Sequence, residues 1–128
     1  MSEIRANTVS DAAGTGPATL TGQYAAKAWV NFNGTGTVAI RDSENVSSIT
    51  DNGTGDYTVN FSNAFANSNY APVASNSVSF GVAPVSIQIA TQTEVAPTTS
   101  ALRFATMAGN FNTFDTKYTN MSFQGDLA

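Results

Sequence analysis

With 128 residues, 41% of them hydrophobic and only 11% charged, the chain is sized for one compact domain with a neutral polar surface, and its composition excludes a disordered polyelectrolyte. A net charge of -4 with five dispersed basic residues excludes a phosphate-tracking stripe, so neither nucleic acid nor membrane insertion is expected, and no apolar run reaches the ~20 residues of a membrane span. The absence of Cys and His rules out disulfides, thiolate or imidazole zinc sites, Cys nucleophiles and imidazole-based triads.

Thr, Ser and Asn together make up roughly a third of the chain, a bias towards strands and turns because their short polar side chains compete for backbone hydrogen bonds inside helices. The start, Met1 to Arg5, lacks the basic-then-apolar pattern of a signal peptide, so synthesis in a cytoplasm is expected. Residues 1–26 read as an extended N-terminal arm. Ile4 and Val9 are isolated apolar positions there, and Gly14, Gly16 and Pro17 oppose a continuous helix. Ala28 to Phe32 reads as a strand ending at Asn33-Gly34-Thr35-Gly36, with Thr37 to Arg41 leading away. The Asn-Gly step predicts a tight hairpin turn, since it readily supplies positive φ angles. Val46 to Thr50 and Tyr57 to Phe61 form a second such pair around Asn52-Gly53-Thr54-Gly55, with Tyr57, Val59 and Phe61 alternating onto one face.

The second half keeps this character. Asn69 to Ala74 reads as an edge strand because Pro72 has no N–H for a central ladder. Val78 to Phe80, Val85 to Thr91, Ala101 to Met107 and Tyr118 to Phe123 follow as strands, with Val85, Ile87 and Ile89 expected inward. Seven or eight short strands with regular turn signals predict an all-β fold: an antiparallel β-sandwich, jelly-roll-like or a related barrel, over residues 27–128.

Candidate chemistry is thin. The loop from Asp51 to Asp56 has acidic ends around two glycines, but it matches neither an EF-hand nor a calcium-binding nonapeptide repeat, so its acids are read as turn residues and no metal or cofactor is expected. A pair among the nine carboxylates is compatible in principle with glycoside cleavage, but such a pair is defined by separation in space, and solvated turn acids are the preferred reading. Trp29 lies on the strand face opposite Ala28, Val30 and Phe32. Core or inter-subunit packing is favoured for it over ligand binding. Phe111 and Phe114 sit in a polar, loop-like stretch and are read as subunit or partner contacts on equal terms with loop anchors. Together with Ile4, Val9 and Trp29 they form the candidate contact set.

The runs KAWVNFNGTGTVAIRDS (residues 27–43) and NVSSITDNGTGDYTVNF (residues 45–61), with the opening MSEIRANTVSD, resemble a module of tail-fibre-like proteins of bacteriophages, especially those of marine and freshwater cyanobacteria. The resemblance covers roughly half the chain. It implies a non-enzymatic virion component, expected as a homotrimer at the particle surface, with no catalytic residues to carry over. Two placements stay open. One is a tail-fibre-like attachment module contacting a host-surface glycan and other tail proteins. The other is a head decoration protein seated as trimers on the major capsid protein.

Overall fold

The computed structural model describes residues 12–14, 26–77, 85–89, 95–108 and 112–128, with backbone only for 85–89. Alternating apolar and polar positions build eight strands, every one of them antiparallel to its neighbours. They are β1 (Ala26–Asn33), β2 (Ala39–Glu44), β3 (Val46–Gly53), β4 (Asp56–Phe61), β5 (Ala71–Asn76), β6 (Val85–Ile89), β7 (Ala101–Ala108) and β8 (Thr119–Gln124). They form two four-stranded sheets, ordered β2-β1-β8-β5 and β3-β4-β7-β6. The fold is an all-β sandwich. β1–β2, β3–β4 and β6–β7 are hairpins, whereas β1–β8, β4–β7 and β5–β8 join strands distant in sequence.

The core positions of β1, β4 and β8 alternate with the period of two that a strand imposes. Ala28, Val30 and Phe32 of β1, Tyr57, Val59 and Phe61 of β4, Leu102 and Phe104 of β7, and Met121 and Phe123 of β8 are all buried. Two aromatic groups anchor opposite ends of this core. Phe32 meets Tyr57 edge-on at 5.2 Å and Phe104 at 6.2 Å, while Phe61 meets Phe65, Tyr70 and Phe123 at 4.9, 5.5 and 4.9 Å. Edge-to-face pairs add about 0.5–1.5 kcal/mol each beyond area burial. Pro72 lies on β5, which is an edge strand as expected.

Both hairpins form, but the Asn-Gly steps are not their turns. Asn33 is the last paired residue of β1, opposite Ala39, and neither it nor Gly34 has a positive φ; that conformation falls to Gly36, at 65°. The Asn33 carboxamide instead closes the loop, donating to the Thr35 carbonyl at 2.8 Å and accepting from the Thr35 hydroxyl at 2.9 Å. In the second hairpin Gly53 pairs with Asp56, so Thr54-Gly55 is the two-residue turn, with Gly55 at φ 66°. The physical reason is that a short polar side chain bonds backbone two residues on and displaces the tight turn along the chain: Asn33 to the Thr35 carbonyl in the first hairpin, and Asp51, accepting from Gly53 N–H, in the second. The expected strand at Val78 to Phe80, the expected arm at residues 1–26 apart from a turn at 12–14 and Ala26, which instead opens β1, and the inward setting of Val85, Ile87 and Ile89 lie outside the described residues or side chains.

Candidate functional site

The outer face of the β2-β1-β8-β5 sheet carries the most distinctive side-chain arrangement. Register places Glu44, Trp29, Ser122 and Val73 in one row across the four strands, and Asp42, Asn31, Asn120 and Ser75 in the next. Side chains in such rows stand on one face about 4.8 Å apart across strands, with about 6.8 Å between rows. Where β1, β8 and β5 meet, the face dips into an open trough of about 360 Å³, walled by Trp29 and Val73 and floored by Asn31, Asn120, Ser75 and Ser122. Trp29 is 38% exposed and Val73 60% exposed.

Polar groups around the trough are held in fixed orientations. Asn31 Nδ2 donates to Asn120 Oδ1, and Asn31 Oδ1 accepts from Arg41 at 3.2 Å. The Arg41 guanidinium also donates to the Lys117 carbonyl and stacks 4.2 Å above the Tyr118 ring, so it is engaged beside the trough. Gln124 donates to Ser122 Oγ at 3.3 Å.

A second cluster pins one end of the sandwich. The buried Tyr57 hydroxyl bonds both Asp115 Oδ1 (2.7 Å) and the Gly34 carbonyl (2.9 Å), and Gly55 N–H donates to the same Asp115 oxygen at 2.6 Å. Burial first, and then the Asp115 carboxylate, push the Tyr57 phenol well above its ordinary value of 10.0. A tyrosine held neutral between two acceptors is a structural pin. It ties both glycine-containing loops to residues 112–116. Among the described residues, no three of Asp, Glu, His and Cys come together as a metal-ligating set.

Of the candidate contacts, Trp29 is not in the core: it points outward into the trough, opposite the buried Ala28, Val30 and Phe32. Phe114 is 39% exposed and is held by its backbone, whose N–H donates to the Thr106 carbonyl at 2.9 Å and whose carbonyl accepts from the Thr106 hydroxyl. The structure does not bring Phe114 to the trough. Ile4, Val9 and Phe111 lie outside the described residues. Sequence reading missed Asn31, Asn120, Ser75, Ser122 and Val73, whose meeting depends on β1–β8 and β5–β8 pairing across up to 89 positions. The available signal was their place on the polar phase of predicted strands. Asp51 caps its own turn, accepting from Gly53 N–H at 3.0 Å, whereas Asp56 is more than a turn residue and forms a two-point pair with Arg103 on the outside of the other sheet.

No family model, no curated protein and no solved structure matches this chain.

Proposed function

We propose that this chain is a non-enzymatic structural protein of a bacteriophage particle, displayed as a homotrimer at the virion surface and acting as a tail-fibre-like attachment module. The observation that carries the reading is the outward trough, where a half-exposed Trp29 stands on a sheet face of amides and hydroxyls. Large aromatics are ordinarily withdrawn from a solvated face, and one kept half-exposed in a concavity marks a contact surface. The likeness of residues 27–61 to phage tail-fibre-like modules supplies the biological setting. The test is direct binding of purified, labelled protein to susceptible cyanobacterial cells. Saturable binding is expected, and its absence overturns attachment.

Placement on the head shell is the second reading, favoured by the first 26 residues, whose sequence reads as an arm able to lace neighbouring subunits. Copy number separates the two. Quantitative gels of purified virions showing hundreds of copies would move the protein to the capsid, and a few tens would keep it on the tail.

A further inference from the structure

We infer that the trough over β1, β8 and β5 is a binding site for a neutral hexopyranose, stacked against Trp29 and hydrogen-bonded by Asn120 and Ser75. A pyranose has two chemical aspects: a face of C–H groups and a rim of hydroxyls that both donate and accept. The trough offers the complement of each. Trp29 and Val73 lie in one register row on either side of Ser122, giving two apolar walls about 10 Å apart across two strand spacings. The next row supplies two carboxamides and a hydroxyl, and these groups also donate and accept together.

The polar floor is preorganised. Asn31 is held from both sides, by Arg41 and by Asn120, so the Asn120 carboxamide has one fixed orientation with its Oδ1 already occupied. Neither the Asn120 Nδ2 nor the Ser75 hydroxyl bonds another described residue, and both line the trough. Groups fixed before binding lose little freedom when a ligand arrives. The volume of about 360 Å³ falls within the range of small-ligand pockets, near its lower end.

Charge decides between neutral and acidic sugars. The trough lining contains no charged side chain. The adjoining positions of both rows on β2 are Glu44 and Asp42, and the chain as a whole carries -4. Of the nearby cations, Arg41 is engaged with Asn31, the Lys117 carbonyl and Tyr118, whereas Lys27 stands two residues before Trp29 on β1. The two β2 carboxylates at the border of both rows therefore weigh against carboxylated or sulfated sugars.

The site shares its face with the attachment reading but is tested without cells. Isotope-labelled full-length protein is titrated to about 50 mM with methyl β-galactopyranoside, methyl β-glucopyranoside and methyl α-mannopyranoside, with N-acetylneuraminic acid as the acidic control. At least one neutral glycoside is expected to give saturable shifts at the Trp29 indole N–H and the Asn120 side-chain amide, with the acid at least several-fold weaker. Trp29→Ala is expected to weaken binding by about tenfold or more and Asn120→Ala by several-fold. Both side chains point away from the core, so unchanged backbone spectra would report an intact fold. No saturable shift with any of the three, or equal binding of the acid, or undiminished binding by folded Trp29→Ala, overturns the proposal. An unmoved Trp29 resonance together with dissociation of the assembly on Trp29→Ala would assign the trough to a second copy instead. Cell binding that survives Trp29→Ala while sugar binding is lost leaves attachment standing on another surface. Sugar binding without cell binding removes attachment alone.

Discussion

Two glycines from similar tetrapeptides have unequal roles. An added Cβ at Gly36 meets nothing within 4 Å, so Gly36→Ala carries only the strain of its φ of 65°. That strain is worth about 1–2 kcal/mol. At Gly55 the same atom would stand 2.4 Å from Phe114 N and 2.7 Å from the Thr106 carbonyl oxygen, both backbone atoms that cannot rotate away. Gly55→Ala is expected to cost about 3 kcal/mol or more, well above Gly36→Ala, as read from urea midpoints. Tyrosine ionisation provides a second test at this scale. Burial pushes Tyr70 up to about 12, and Tyr57 is raised further by burial and Asp115. Raised phenols stabilise the folded state fully below their unfolded value of 10.0, and that stability is lost as pH rises through the folded values. Stability is therefore expected to be insensitive to these groups up to about pH 9 and to fall progressively above pH 10. Tyr57→Phe should flatten the alkaline fall while lowering stability at neutral pH by about 1–3 kcal/mol, because the Gly34 carbonyl and Asp115 lose their buried donor. Denaturant titrations at pH 7, 9 and 11 check both signs.

At the scale of elements, one residue carries the chain from the first sheet to the second. Asn45 alone separates β2 from β3 and has a φ of 55°, a conformation that Asn tolerates better than other residues with a Cβ. Its carboxamide also clamps the far side of the sandwich, accepting from Asn63 N–H at 2.7 Å and donating to the Asn63 carbonyl at 3.1 Å. Asn45→Ala loses both the conformational tolerance and the clamp, for about 2 kcal/mol, whereas Asn45→Gly keeps the first and should cost about half as much. Thermal melts of the pair distinguish the two contributions. The Arg103–Asp56 pair on the outside of β4 and β7 is partly solvated, with side chains 32% and 17% exposed. Arg103→Ala should therefore leave the melting temperature almost unchanged. Strand existence was legible in the sequence because alternation reports one buried face, as Tyr57, Val59 and Phe61 illustrate. Turn position was not. Asn33 bonds within its own loop, whereas Asn52 reaches Thr58 Oγ1 on β4 at 2.9 Å, and such side-chain choices depend on which neighbours the fold delivers.

For the whole molecule, sheet order comes from pairings that local patterns do not encode. β1 closes on β8, and β5 joins the same sheet, so the trough exists only once both ends of the sandwich have met. A sequence reading therefore set Trp29 opposite Ala28, Val30 and Phe32 but favoured core or inter-subunit packing for it, and it did not find the amides around it. The buried cluster of the sandwich draws its described members from between Ala28 and Phe123, and Phe65 is closed over by a bridge to Leu127. With residues 1–22 read from sequence as part of an arm, their removal is expected to leave the urea midpoint of the sandwich nearly unchanged. If the trimer proposal holds with residues 1–22 lacing its subunits, the same deletion should shift sedimentation from trimer towards monomer. A loss of cooperative unfolding would place those residues in the core instead, and a trimer that survives intact would put the subunit contact on the sandwich itself, where Phe114 is an exposed aromatic away from the trough.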